Sequence, residues 1–224
     1  MNYTYLNTAK YTCLLLLVLA LVASCKKDNY LTGGSKINPK VEMTTYDYLK
    51  SKPLFDTLVQ LIDHAGMKDE INGKVTFFAP TDYSIRSLLL KRTTEVQLRY
   101  NDENIKYTID SFPVNELKDS LRAYMFKEVI SRENLSLSNQ LYKNMVGEEF
   151  AIKLVESIDY DDIISQRPRF LHIIKIIDGL DPDPRPQDYP KEMWDKDEEV
   201  QTSGIITQTG LLHVINNQHA FYWR

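Results

Sequence analysis

The stretch Val75-Thr76-Phe77-Phe78-Ala79-Pro80-Thr81-Asp82 constrains the fold of this chain more than any other. Four residues of strand character run straight into Pro80, which has no N–H to donate and cannot continue a central strand. Thr81 or Asp82 can then cap a helix through a side-chain oxygen, and Ile85, Leu88 and Leu89 follow at helical spacing. The octapeptide reads as a buried strand, a rigid corner and a helix start. Many α/β proteins contain such a unit, so alone it names no function.

Upstream, Thr44-Thr45-Tyr46-Asp47-Tyr48-Leu49 opens a short helical turn, and Pro53 suits the first position of the next helix. Leu54, Leu58, Leu61, Ile62 and Ala65 form one apolar stripe, which Gly66 is placed to end. Asn72-Gly73 is a turn signal leading into the strand. Downstream, residues 91–113 mix charges without a period and read as an insertion with a short strand at 106–109. A third helix is expected from about Asn115, with Leu117, Leu121, Tyr124, Met125 and Val129 on one side.

The second half reads as sheet. Phe150, Ile152 and Leu154 alternate with Ala151, Lys153 and Val155 behind a turn at Gly147-Glu148-Glu149. Phe170-Leu171-His172-Ile173-Ile174-Lys175-Ile176-Ile177 is apolar on both faces except at His172 and Lys175, which suits a central strand. Asp181-Pro182-Asp183-Pro184-Arg185-Pro186 then excludes regular structure. Residues 178–199 hold nine acidic side chains against three basic ones and read as an acidic loop. It lacks the alternating Asp/Asn spacing and turn glycine of a calcium loop, so it is read as solvated, with no metal assigned. Tyr189, Met193 and Trp194 inside it either pin the loop or face a partner, and Tyr189 and Trp194 are kept as candidate partner-facing residues.

Near the C-terminus, Thr209-Gly210 takes a hairpin turn in which the glycine permits positive φ, and Leu211-Leu212-His213-Val214-Ile215 forms the strand after it. With this second motif in place, the chain resembles the fasciclin-type (FAS1) adhesion domain. Thr76-Phe77-Phe78-Ala79-Pro80-Thr81-Asp82 resembles its first signature. Residues 201–216, with Gly210, Leu211, Leu212, His213, Val214 and Ile215 at their centre, resemble its second. The resemblance implies an α+β fold: a single domain over residues 41–219, with N-terminal helices packed on a mostly antiparallel β-sheet wedge, insertions near 91–113 and 178–199, and a tail at 220–224. It also implies a structural role for the signature residues. Animal members often carry Tyr-His and Asp-Ile pairs linked to integrin contact; this chain has Phe126-Lys127 and Gly204-Ile205 there, so integrin binding is not carried over. Gly204 and Ile205 are kept as candidate partner-facing positions.

The N-terminus reads as an address. Lys10 precedes an apolar run from Cys13 to Val22, too short for a membrane span, and Leu21-Val22-Ala23-Ser24-Cys25 resembles a bacterial lipobox. The resemblance implies a signal peptide over 1–24, lipid on Cys25 and a flexible tether over 25–40. Lys26-Lys27-Asp28 loosely resembles the surface-export signals of Bacteroidota lipoproteins. The expected location is the outer membrane, facing the cell surface or the periplasm. The chain has two cysteines, Cys13 and Cys25, so the mature domain keeps no thiol for a disulfide, a zinc site or a nucleophile. A net charge of −4 without a basic cluster argues against nucleic acid. No hydrolase, metalloprotease, phosphate-loop or dinucleotide motif is present, and His213 and His219 are too far apart on a straight strand to share a metal.

The expectation is a lipid-anchored binding or adhesion module without cofactor or catalytic residues. It would be held to the membrane through Cys25 and contact an envelope or surface protein, a matrix component or a glycan. The alternatives are an accessory glycan-binding lipoprotein of a nutrient-uptake system and a hydrolase with an unrecognised site.

Overall fold

The computed structural model describes residues 39–157 and 167–221. The expected signal peptide, Cys25, the tether to residue 38 and the last three residues lie outside them. Five helices and seven strands make up the described chain: α1 (Thr45–Lys50), α2 (Asp56–Ala65), α3 (Lys68–Ile71), β1 (Thr76–Ala79), α4 (Asp82–Tyr100), α5 (Val114–Arg122), β2 (Met125–Phe126), β3 (Gln140–Lys143), β4 (Glu149–Glu156), β5 (Arg169–Lys175), β6 (Lys196–Ile206) and β7 (Leu211–Ile215). Helix α2 ends where its stripe predicts, on Gly66 in the left-handed region at φ 64°. Its inner side chains Leu58, Leu61 and Ile62 are fully buried.

The strands lie in the order β2-β1-β7-β6-β5-β4-β3. Five of the six pairings are antiparallel, as expected, and β1 with β7 is parallel. A bridge between Phe126 and Asn144, with Met145 N–H donating to the Met125 carbonyl at 2.8 Å, draws the two edges together and nearly closes the sheet. β5 sits between β4 and β6, as its two apolar faces require. Pairing also reaches back into the expected tether: Ile206 N–H donates to Pro39 O at 2.8 Å and Val41 N–H to Ile206 O at 2.9 Å. Residues 39 and 40 therefore belong to the sheet.

Several expectations fail for identifiable reasons. Helix α4 does not stop near residue 90 but runs to Tyr100, capped by Asn101 at φ 49°. Of the half-buried side chains in its second half, Val96 alone is apolar and Arg92, Thr93, Glu95 and Gln97 are polar, so no apolar stripe marks it. The return limb is fastened by hydrogen bonds instead: Gln97 Nε2 donates to Glu103 O and Ile105 O, and Tyr107 N–H donates to Thr93 Oγ1. No strand forms at 106–109; a 3-10 turn covers Ile109–Ser111.

Helix α5 ends at Arg122, because Met125 and Phe126 pair with β1, and Val129 is left exposed. The acidic loop stops at Asp195, where β6 begins, rather than at 199. In the β6–β7 loop, Thr207 Oγ1 accepts the Gly210 N–H at 2.9 Å. Gly210 is not among the positive-φ residues; a Cβ there would lie 2.5 Å from the Val75 carbonyl oxygen. The glycine is needed for close approach to the β1 backbone, not for turn conformation.

Candidate functional site

The two signature stretches meet in space. In the parallel β1–β7 pair, Phe78 stands opposite His213, and their rings stack at 4.8 Å. Both strands also hold the same piece of backbone, residues 128–130. Thr76 Oγ1 donates to Glu128 O at 2.6 Å and accepts the Ile130 N–H at 3.1 Å. His213 Nε2 lies 2.8 Å from Ile130 O. A carbonyl can only accept, so Nε2 carries the proton, and Nδ1 is left to accept the Gly204 N–H at 3.2 Å. His213 is completely buried, and that burial pushes its pKa down to about 4, against the smaller raising effects of the Ile130 bond and Glu133. It is a neutral structural imidazole.

The corner after β1 works differently from a self-capped helix. Thr81 occupies the cap position of α4 but its side chain makes no capping bond, and its buried Oγ1 has no partner. Asp82 instead reaches across to α2, whose own cap residue Phe55 offers no side-chain acceptor. Asp82 Oδ1 accepts Thr57 N–H at 2.9 Å and Leu58 N–H at 3.3 Å. Asp82 therefore caps a neighbouring helix and ties two helices together. Burial raises its carboxyl pKa, opposed by these backbone donors. Asp82→Ala should cost about 1–2 kcal/mol in denaturant unfolding, the scale of a lost cap. Thr81→Val, which removes a hydroxyl without a partner, should leave the midpoint unchanged or raise it.

A family model, the fasciclin domain, matches residues 53–169, just over half of the chain. The chain belongs to the fasciclin family. The match ends before β6 and β7; the tie between the second signature and the first is therefore seen in the β1–β7 register rather than in the family match. Among solved structures, the FAS1 domain pair of the insect cell adhesion molecule Fasciclin I matches with a TM-score of 0.51 at 14% identity. The match covers 80% of this chain and 51% of that one, so this fasciclin domain spans about half its length. No curated protein matches at a significant level.

The remaining histidines lie apart. His172 Nδ1 sits 2.7 Å from Asp197 Oδ1 on the β5–β6 surface. His64 Nε2 lies 3.2 Å from Phe112 O. His219 is not on the strand of His213: β7 ends at Ile215, and Asn216 Oδ1 accepts the N–H groups of Gln218 and His219, turning the chain. His219 then links Glu198 Oε1, 3.1 Å from Nδ1, to the Tyr124 hydroxyl, 2.7 Å from Nε2. Tyr124 is fully buried and stacks on Phe221, so this carboxylate–imidazole–phenol chain fastens the C-terminal segment. Phe221, within the expected C-terminal tail, is core. Sequence reasoning missed this latch; its one signal was an aromatic residue two positions after a histidine.

The acidic loop between β5 and β6 is stapled at its base. Asp195 accepts the N–H groups of Ile177 (3.0 Å) and Asp181 (2.8 Å), and Asp181 accepts the Asp195 N–H (3.1 Å) and the Arg185 guanidinium. Arg185 also lies over the Trp194 ring at 4.2 Å, and Trp194 Nε1 donates to Tyr189 O at 3.2 Å. Partial burial, and then the charges of Asp181, Asp195 and Asp178, raise the pKa of the Tyr189 phenol. A groove of about 280 Å³ beside the loop is lined by Asn139, Lys153, Leu180, Asp183 and Asp197. Among the described residues, no group of three or more His, Cys, Asp or Glu side chains is arranged to hold a metal ion. Of the four positions expected to face a partner, Tyr189 and Trp194 stitch the loop, though Trp194 stays 38% exposed. Gly204, at φ 82°, gives its N–H to His213, and Ile205 is half-buried opposite Leu212.

Proposed function

We propose that this fasciclin domain is a lipid-anchored binding module of the cell envelope. In this reading acyl chains on Cys25 hold it to the outer membrane, facing the cell surface or the periplasm. It works by surface contact with an envelope protein, a matrix component or a glycan. One observation carries the reading: Thr76 and Asp82 of the first signature and His213 of the second are engaged inside the fold, while acidic side chains are displayed on a hydrogen-bonded, well-braced loop. A display surface on a rigid frame is what a contact module needs.

The glycan-binding alternative calls for clustered exposed Tyr and Trp. Tyr83 and Tyr100 are exposed but lie at opposite ends of α4, about 25 Å apart along its axis. The Trp194 ring already carries the Arg185 guanidinium, so protein contact is the favoured form. The hydrolase alternative calls for a deep pocket with His172 or His213 beside a carboxylate and a hydroxyl. His172 stands beside Asp197 on the β5–β6 surface, and His213 is buried with both ring nitrogens on backbone groups. A histidine between a carboxylate and a hydroxyl is found instead at Glu198, His219 and Tyr124, where the hydroxyl is sealed in the core.

The anchor is tested directly. Acyl chains gain about 0.8 kcal/mol per buried CH₂, so a multiply acylated cysteine holds a protein firmly in a bilayer. Cys25→Ser should move the protein from the detergent phase to the aqueous phase in a partitioning assay. A variant that stays in the detergent phase would sink the lipid anchor.

A further inference from the structure

Among the described residues, the most exposed large apolar side chains gather on one helix. The five highest are Leu98 (79%), Val129 (73%), Tyr100 (66%), Leu90 (65%) and Tyr83 (57%), and all but Val129 belong to α4. At roughly 100° per residue, Tyr83, Leu90 and Leu98 fall within about 80° of arc, and exposed Ser87 and Thr94 share that strip. Arg86 borders it on one side and Lys91 on the other, both exposed. Of the two acidic residues of α4, Asp82 is buried, and half-buried Glu95 bonds Arg92 at 3.1 Å. A chain of net charge −4 thus carries a 19-residue helix whose exposed charges, Arg86, Lys91 and Arg99, are all positive. The nearest exposed carboxylates in sequence, Asp102 and Glu103, lie past its end.

We infer that this face of α4 rests on an anionic lipid surface, that of the membrane to which acylated Cys25 fastens the chain. The spacing favours lipid over protein. Tyr83, Leu90 and Leu98 stand about 10 and 12 Å apart along the axis, with hydroxyl-bearing Ser87 and Thr94 between them. The centre of a protein interface is a contiguous packed patch, which separated side chains on a convex helix do not supply. At a headgroup boundary each can enter singly while the hydroxyls stay hydrated. Arginine and lysine at the two borders lay their stems against the apolar strip and present their charges to lipid phosphates. Each such cation near an anionic surface strengthens binding about fivefold.

The chain outside the described residues is long enough for this seating. From Cys25, residues 26–38 bring the chain to Pro39 over about 45–50 Å at full extension. A domain of this size is roughly 40 Å across, so α4 can reach the bilayer wherever Pro39 lies. The inference rests on the anchored reading above for the presence of that bilayer.

A single fluorescent label tests it. A mature chain starting at acylated Cys25 has no free thiol, so Leu98→Cys offers one site for a nitrobenzoxadiazole label on α4, and Leu141→Cys, at a position 52% exposed on β3, is the control. The lipoprotein is placed in phosphatidylcholine vesicles with or without phosphatidylglycerol. With phosphatidylglycerol, the label at 98 should shift to the blue and be quenched by lipid-borne nitroxide, and the label at 141 should not. High salt should weaken the effect, and Arg86→Glu with Lys91→Glu should abolish it at an unchanged melting temperature. If that variant melts early, the alanine pair should still weaken the quenching about tenfold or more. A label at 98 as water-like as that at 141, or equal quenching without phosphatidylglycerol, would overturn the inference. So would a blue shift that lipid nitroxide does not quench, since the occupant would then be a protein. An anchored wild type with an unquenched label rejects the α4 surface and leaves the anchor standing. A chain that stays aqueous in detergent partitioning, yet is quenched at 98 when vesicles are added, does the reverse.

Discussion

His213→Phe should destabilise the domain by about 2–4 kcal/mol, even though the ring volume is kept. The cost comes from the Ile130 carbonyl and the Gly204 N–H, both partnered by the imidazole, at about 1–3 kcal/mol for each buried group left unpaired. His213→Ala should lose about 1 kcal/mol or more beyond that, since it also opens a cavity beside Phe78. The same histidine gives the domain an acid limb. Its folded pKa of about 4 lies below the ordinary value of 6.5, so the unfolded chain binds the proton first as pH falls. The stabilising contribution is complete above about pH 6.5 and is lost on the way down to about pH 4, roughly 3 kcal/mol in all. Urea midpoints measured between pH 7 and 4 should show this slope in the wild type, and the Phe variant should lack that part of it.

Phe78→Ala should cost about 3–5 kcal/mol, the range for a fully buried aromatic truncated to a methyl. Phe78 has no exposed surface and joins three parts of the core. It stacks on His213 of β7, meets Phe126 of β2 edge-on at 5.5 Å, and through Phe126 reaches Phe150 of β4. Its removal leaves a void between the two signature strands that their backbone pairing cannot close. The expected phenotype is a lower denaturant midpoint, with any partner binding reduced only in proportion to the folded fraction. Lost binding at unchanged stability would place Phe78 at an interface, contrary to its burial.

How legible each part was in the sequence follows from the range of the forces that shape it. The strand, corner and α2 stripe were readable because their signals are local: Pro80 stops β1, and Gly66 ends a helix whose apolar positions recur every three or four residues. The far half of α4 was unreadable, because hydrogen bonds to a return limb, rather than an apolar stripe, hold it. The corner was half-read: Asp82 does cap a helix, but the wrong one for a local rule, since Thr57 and Leu58 are brought to it by tertiary packing. Gly210 was recognised as necessary for the wrong reason, because its constraint is the distance to Val75 across the parallel pair. The His219 latch is also tertiary and has no short motif.

These observations give the two signatures a single physical role. Thr76 from the first and His213 from the second clamp residues 128–130 from two directions; the second clamp needs the proton on Nε2, and the bond His213 accepts from Gly204 needs Nδ1 unprotonated. The most direct measurement is a long-range ¹H–¹⁵N spectrum of the histidine side chains, followed from pH 7 downward. The expected result is a His213 ring in the Nε2–H form that stays neutral through pH 5 and begins to protonate only near pH 4. A His213 that titrates near 6.5, or that carries its proton on Nδ1 at neutral pH, would contradict the clamp.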